Sequence, residues 1–517
     1  MLIRFIEKSS NDFKRYLYKP IEPSSISYFR ICFGILISWQ AWIMIEESWT
    51  WTLFTQKAMY FKYWPFEFVS PMNPTMMIAI IVVMGICGIF VASGIFYRLS
   101  SLLIFTIFTY IFLIEKARYE NHLYLICLIS FIMIFIPAGK HLTFPSIFKT
   151  RNPKTLTLPN WPLFLLRSQI GIVYIFAGIA KLNTDWIYRA EPLTQWMLTY
   201  KGPEIIENSV SNSITPWIMT YSAITIDLFA LPLLCYKKTR VFTYLTLVVF
   251  HLFNAHLFGI GIFPFLMILS TAIFFDHQWI KNLTNNIKTF NYKKISYLII
   301  GLGIGYIIGS FLQIKGEHPI GIVGAIGIAI FSSNIDEPFK RQGNHVFNPT
   351  NTSPKTSKST TRKLSETLVL YSIIIWISFQ LLIPMRHLVI PGNVNWTNEG
   401  HYFAWRMKLN NKEAKGIFTI TDNINKVTWN LDPRMFLTEL QYETMLTRPN
   451  LILQFVRYVE NHLKNNGYPD ISIKSDIIIS MNSAPTNSLI DKNMDLTKVS
   501  DKWLTHSKWI LHEEKTR

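Results

Sequence analysis

Eleven stretches of this chain stay apolar for about the length that crosses a bilayer, and no other feature limits its fold so strongly. They cover 26–45, 74–93, 97–115, 121–138, 163–181, 214–235, 240–258, 262–275, 296–314, 319–333 and 366–386. A spanning helix needs roughly 20 such residues, because hydrocarbon offers the backbone no hydrogen-bonding partner and only a helix satisfies every amide internally. The runs at 262–275 and 319–333 are short enough to be re-entrant or interfacial. The pattern predicts an all-α polytopic membrane bundle of about 9–11 spans. Half of the 517 residues are hydrophobic, which agrees with burial in lipid and not with a soluble core.

The net charge of +18 invites a nucleic-acid reading, but its placement argues against one. Basic residues gather in alternate loops, at Lys14 to Lys19, at Arg98, from Lys140 to Lys154 and from Lys237 to Arg240. That is the asymmetry that orients a protein in a bilayer. It predicts a cytoplasmic N-terminus and an extracytoplasmic C-terminal region, with the first span kept as an anchor because the opening residues lack a signal-type cleavage site. Cys32, Cys87, Cys127 and Cys235 all lie in or at the ends of apolar runs, so no disulfide is expected outside, and no metal-type spacing occurs.

Two parts follow: a membrane domain over 1–386 and an extracytoplasmic α+β or β-rich domain over 387–517. The Ser-, Asn- and Lys-rich stretch 334–365 reads as a flexible cytoplasmic loop. In the second part KGIFTI and KVTWNL predict strands around a TDNIN turn, and ISIKSDIIISM predicts another. LDPRMFLTELQYETMLT and LILQFVRYVENHLKNN predict helices.

Several polar side chains stand where lipid should exclude them. Arg167, Gly171, Tyr174, Gly178 and Lys181 are spaced four, three, four and three apart and form one helical stripe, whose glycines admit a close neighbour. Asn121 and His122 open the fourth run, and His251, Asn254 and His256 lie in the outer half of the seventh, with His256 turned away from the other two. Asp227 adds a carboxylate near mid-membrane, for which Arg167 is a candidate partner. Lys181 alone is as well explained by snorkelling, and a lone histidine by a helix–helix hydrogen bond. Gathered at one depth, these groups suggest chemistry: burial disfavours the charged form of an amine, and nearby donors can hold an oxyanion. A lysine so placed suits deprotonation of a lipid-soluble phenol such as a quinol.

At these residues the chain resembles the vitamin K-dependent gamma-glutamyl carboxylase family and its bacterial homologues, which implies a bacterial inner membrane. YIFLIEKARYENHLYL, RSQIGIVYIFAGIAKLNTDW, ITIDLFALPLL, VFHLFNAHLFGIGIF and NWTNEGHYFAWRMKL correspond in order, as does the tail through ISMNSAPTNSLIDKNMDLTKVSDKW. The resemblance implies that vitamin K hydroquinone or menaquinol is deprotonated and reacts with dioxygen to give a strong base. That base removes a γ-proton from a peptidyl glutamate, carbon dioxide traps the carbanion, and the epoxide leaves; no metal takes part. It implies Lys181 as the initiating base, Asn121 and His122 as the oxyanion pair, and His251, Asn254 and Tyr174 at the quinol. Trp396 and Trp405 match the family's substrate-site tryptophans, with His401 where its tyrosine stands and Tyr402 adjacent. The departures are Ala180 for the first of a lysine pair, Ala404 for a serine, Asn410 for a histidine, the missing disulfide, an apparent extra hairpin at 296–333, and an end before the further luminal domain of animal enzymes.

The expected function is quinol epoxidation coupled to glutamate carboxylation, on a glutamate-containing peptide or protein at the lipid bilayer. The alternatives are a quinol epoxidase or quinone-handling protein that does not carboxylate, and a transporter using Asp227, Lys181 and the histidines as a relay. Clustering of the ionisable groups towards one face argues against transport. Trp396 and Trp405 have a rival reading as membrane-interface anchors.

Overall fold

The structure is a computed structural model that describes residues 11–46, 58–144, 156–201, 207–208, 212–276, 278, 360–500 and 504–513. The apolar runs at 296–314 and 319–333 and most of the 334–365 loop lie outside the described residues. The two-residue strands β1 (Pro20–Ile21) and β2 (Leu158–Pro159) pair antiparallel. The helices are α1 (Ser24–Glu46), α2 (Pro74–Ser93), α3 (Tyr97–Ile114), α4 (Asn121–Phe135), α5 (Trp161–Ala180), α6 (Thr184–Arg189), α7 (Leu193–Leu198), α8 (Thr215–Cys235), α9 (Arg240–Phe258), α10 (Phe263–Thr271) and α11 (Thr360–Met385). Seven of them, α1, α2, α3, α5, α8, α9 and α11, are long and apolar enough to cross a membrane, while α4 and α10 are shorter. The protein is therefore a multi-pass membrane protein. The fourth run stops short of 138 because Pro137 forces Ile136 out of the helical region.

Two arginines, Arg30 buried and Arg167 half-buried, tie helix ends together. Arg30 of α1 donates to the carbonyls of Ala92 at 3.3 Å, Ala138 at 3.1 Å and Leu142 at 2.6 Å. Such carbonyls have no partner within their own helix, and a guanidinium satisfies several at once. Gly94 closes α2 with φ +77°, and a Cβ there would lie 2.4 Å from the Arg30 guanidinium. Arg167 of α5 holds the Ile273 carbonyl beyond α10 through Nε and Nη2, at 3.0 and 2.6 Å. It is therefore committed to a helix end, and the expected Arg167–Asp227 pairing is corrected.

The C-terminal region carries the short helix α12 (Val394–Thr397), strands β3 (Lys412–Asp422) and β4 (Val427–Leu431), helices α13 (Glu439–Leu446) and α14 (Pro449–Asn465), and strands β5 (Ile471–Met481) and β6 (Asn487–Ser488). The sheet is antiparallel throughout, in the order β4-β3-β5-β6. Ile471, Ile473, Ile477 and Ile479 alternate along β5 on its buried face, in one core with Leu451, Ile452, Phe455 and Val456 of α14. This is an α+β arrangement. The helix expected over 431–447 begins only at Glu439, because Asp432 and Pro433 close a 3-10 turn and Thr438 and Gln441 form a capping box.

This region sits on the loops at one end of the helices. Gln441 Nε2 donates to Glu115 Oε2 at 2.6 Å and to the Met59 carbonyl at 3.0 Å. Gln454 brackets the Lys62 peptide at 2.8 and 3.0 Å, and Asn482 Nδ2 donates to Asp185 Oδ2 at 2.8 Å. The loops after α1, α3 and α5 thus share one platform.

The α5–α8 contact uses the glycines of the stripe. A Cβ on Gly171 would meet Leu231 at 2.7 Å, and one on Gly178 would meet Leu228 at 2.8 Å and its backbone nitrogen at 2.9 Å. Lipid offers no hydrophobic drive between helices, so close backbone approach supplies much of their attraction. Gly178→Val forces α8 away, and overpacking of this kind costs about 1–3 kcal/mol. The expected result is a clear fall in the thermal midpoint of the detergent-solubilised protein, and an unchanged midpoint would contradict the tight crossing.

Candidate active site

Lys181 is the C-cap of α5, at the point where the chain leaves the helix. Asn183 then caps α6, its Oδ1 accepting from the amides of Asp185 at 3.1 Å and Trp186 at 3.2 Å. The turn brings the Trp186 ring back over the amine, 5.3 Å from Nζ. Trp186 Nε1 donates to the Leu409 carbonyl at 3.1 Å, which joins the turn to the C-terminal region. Lys181 is left only 7% exposed.

The Lys181 amine is paired. Its Nζ lies 2.7 Å from Asp227 Oδ2 and 3.2 Å from the Ala177 carbonyl. Asp227, 5% exposed, neighbours Leu228 at the glycine crossing, so the close packing of α5 on α8 is what delivers the carboxylate. A lone buried charge is very costly, and each member here supplies the other's counter-ion. Sequence reading picked out both residues and missed their partnership, since register between helices 46 positions apart is not written in either one.

A second polar pair stands nearby. Tyr174, on the same stripe as Lys181, lies 2.7 Å from His251 Nε2 through its hydroxyl. The phenol can donate there, which places the ring proton on Nδ1. That nitrogen is buried and has no hydrogen-bond partner among the described residues. Asn254 follows three positions after His251, whereas His256 meets the Tyr200 hydroxyl instead.

Lys181, Asp227, Tyr174, His251 and Asn254 all line one cavity of about 280 Å³. The rest of its wall is mostly apolar and aromatic, with Met407 and Lys408 contributed by the C-terminal region. Neither of those two was singled out from sequence. The signal was the long basic side chain near the tryptophan of AWRMK, but only the fold shows that this segment faces the helices.

Asn121 and His122 are placed differently. Asn121 is 9% exposed, and its amide is engaged at both ends. Oδ1 accepts from the Tyr119 hydroxyl at 3.1 Å, and Nδ2 donates to the Arg406 carbonyl at 3.2 Å. The Tyr119 hydroxyl also accepts from the Phe403 amide at 2.7 Å. Asn121 thus clamps the 403–406 segment onto α4. His122 Nδ1 lies 3.0 Å from Glu120 Oε2, and its ring packs against Phe263 at 6.2 Å between centroids. Phe263 lines the cavity and also packs on His251 at 6.1 Å, so it stands between the two imidazoles. Neither Asn121 nor His122 lines the cavity itself.

The tryptophans of the C-terminal region are interior residues. Trp396 is 1% exposed and donates to the Leu511 carbonyl at 3.1 Å, and Trp405 is 0% exposed, packed on Tyr124 at 5.1 Å. Burial this complete removes the interface-anchor reading of both. The Tyr402 hydroxyl accepts from Arg448 at 3.3 Å, and Lys116 stands 4.8 Å from the Tyr402 ring centre. Burial, reinforced by Arg448, Arg406, Lys412 and Arg386, holds the His401 imidazole well below its ordinary range, so it is neutral at pH 7.

Among the described residues, no group of three or more His, Cys, Asp or Glu side chains is arranged to hold a metal ion. A family model described as the HTTM domain matches residues 18–279. A second, described as the vitamin K-dependent gamma-carboxylase lumenal domain, matches residues 365–516. Residues 280–364 fall outside both matches. No solved structure matches the chain.

The clamp can be tested apart from any chemistry. Asn121→Ala leaves the Tyr119 O–H donor and the Arg406 carbonyl without their partner, and each buried unmet donor or acceptor costs about 1–3 kcal/mol. A lower thermal midpoint and faster proteolysis within 403–408 are expected; wild-type behaviour in both would show that the amide holds nothing.

Proposed function

The chain belongs to the vitamin K-dependent gamma-carboxylase family, and on that premise we propose that it oxidises vitamin K hydroquinone or menaquinol to the epoxide with dioxygen, coupled to carboxylation of peptidyl glutamate with carbon dioxide. The observation that carries this reading is the buried Lys181–Asp227 pair in the wall of an apolar cavity at one end of the spanning helices.

The cavity suits such a ligand. At about 280 Å³ it is near the lower end of small-molecule sites, ~300 Å³, as fits an aromatic head group whose isoprenoid tail lies outside among lipid. Its walls supply ring faces, and its few polar groups include the Lys181–Asp227 and Tyr174–His251 pairs, which suits an apolar ring with hydroxyls at its edge. The unpartnered His251 Nδ1 is a donor in want of an acceptor, and a quinol oxygen would satisfy it.

When bound, the reduced quinone supplies, by its reaction with dioxygen, the base that removes the γ-proton. The protein's first task is to take a hydroxyl proton. The Lys181 ammonium passes a proton to Asp227 Oδ2, 2.7 Å away, and the amine so freed takes the quinol proton, leaving an ammonium beside a carboxylic acid. The ammonium then faces the oxyanion it has helped to form, which is the differential stabilisation catalysis requires. His251, fixed by Tyr174, offers a second donor. His122, fixed by Glu120, acts from behind Phe263, shaping the wall and the local field. Trp186, Met407 and Lys408 close the cavity on the side of the C-terminal region and limit water, while the substrate peptide approaches along the segment bearing Trp396, His401, Tyr402 and Trp405. In this reading the C-terminal domain is extracytoplasmic and the N-terminus cytoplasmic, which the basic residues in alternate loops support.

Purified protein incubated with menaquinol or vitamin K hydroquinone, dioxygen, labelled carbon dioxide and a glutamyl peptide tests the whole reading. Epoxide with label fixed in the peptide is the expected result. Epoxide without fixed label would remove the carboxylation half, and neither product from folded protein would overturn the proposal.

A further inference from the structure

Lys408 is a cation at the cavity wall that the initiating chemistry does not use. Its Nζ stands 5.7 Å from the ring centre of Trp196 and 5.6 Å from that of Phe258, and both rings line the cavity with it. Ring faces attract an ammonium without consuming its hydrogen-bond donors. Burial pushes the Lys408 amine below its ordinary range, and the charged neighbour that opposes this shift, Glu120, is already held by His122 at 3.0 Å. Burial pushes the Glu120 carboxyl up, but His122, Lys408 and Arg118 outweigh it and keep it below the usual range, hence ionised. No salt bridge or hydrogen bond from Lys408 Nζ occurs among the described residues.

The backbone around it is strained. Phe403, Trp405 and Lys408 have φ of +61°, +56° and +50°, a region that side chains other than glycine's avoid. Such strain persists only where surrounding contacts over-determine it. Here the contacts are the Tyr119 and Asn121 clamp and the 2.6 Å bond from Arg406 Nη2 to Asn395 Oδ1. The segment is therefore held in a costly shape whose result is to carry Met407 and Lys408 to the cavity.

We propose that Lys408 receives the side-chain carboxylate of the glutamyl substrate at the wall of the cavity. This rests on the carboxylation reading above and assigns a residue to its second half. When the γ-carbon gives its proton to the base supplied by quinol oxidation, the C–H electron pair is left beside an existing carboxylate, and two negative charges share a few atoms. An ammonium there opposes that repulsion, and it does so more in the transition state than in the bound substrate. The electron pair then forms the new carbon–carbon bond to carbon dioxide, with no further oxidant or reductant required. Lys408 also explains how recognition of an anion is kept where Ala404 and Asn410 leave the neighbouring positions without a hydroxyl or an imidazole.

The test compares wild type with Lys408→Met and Lys408→Arg for KM of the glutamyl peptide and KM of the quinol, and for direct binding of a glutamyl peptide against its glutaminyl counterpart. Loss of one charge-assisted hydrogen bond should raise the peptide KM of Lys408→Met about tenfold or more, and well beyond any change in the quinol KM. Lys408→Arg should recover most of the loss, and the preference for glutamyl over glutaminyl peptide should vanish in Lys408→Met alone. Equal peptide KM in wild type and Lys408→Met, parallel changes in both KM values, or an undiminished glutamyl preference would overturn the assignment. Absence of turnover in the wild type would instead overturn the parent reading, and the binding comparison still decides the role of Lys408.

Discussion

The site depends on one buried ion pair, Lys181 with Asp227, held at 2.7 Å between two helices. Taking an ammonium and a carboxylate out of water is expensive, and removing one partner of such a pair typically costs about 3–5 kcal/mol. The packing around the pair makes it tolerable. Gly171 and Gly178 let α8 approach α5 closely, and the Ala177 carbonyl accepts a further bond from the amine. Trp186 covers the amine from above, fixed in turn by the Leu409 carbonyl.

From that pair the architecture reads outward in two directions. Within the helices, Tyr174 extends the lysine's stripe to His251, so one face of α5 organises both polar pairs of the cavity. Towards the C-terminal region, Asn121, Tyr119 and Trp186 hold a strained segment that completes the wall with Met407 and Lys408. The two sequence regions meet in one cavity, so neither part has the whole site. Under the proposed function, this shared wall is what would couple quinol oxidation to chemistry on a peptide.

Much of this was legible in the sequence for specific reasons. Apolar length located the spans, and the four-three spacing of Arg167, Gly171, Tyr174, Gly178 and Lys181 predicted a stripe whose glycines do meet a neighbouring helix. Alternation along ISIKSDIIISM gave β5 its buried face. What failed was partnership between distant elements. Asp227 was offered Arg167, but Arg167 caps a helix end at Ile273 and Lys181 takes the carboxylate. His122 and His251 each pack on the Phe263 ring, and only His251 lines the cavity, a fact of helix rotation that no spacing reveals. Lys408 was hidden because its segment reaches the cavity through left-handed residues that no pattern marks. Even the start of α13 was encoded, in the Thr438–Gln441 capping box, and was obscured by the apolar residues before it.

The account stands on the Lys181 amine being the group that takes the quinol proton. Its most direct test is quinol epoxidation by Lys181→Ala, with and without a series of small exogenous amines that fit the space left behind. The account predicts that turnover is abolished, that added amine restores part of it, and that the restored rate follows the basicity of the amine. Turnover at the wild-type rate in Lys181→Ala without amine would contradict it.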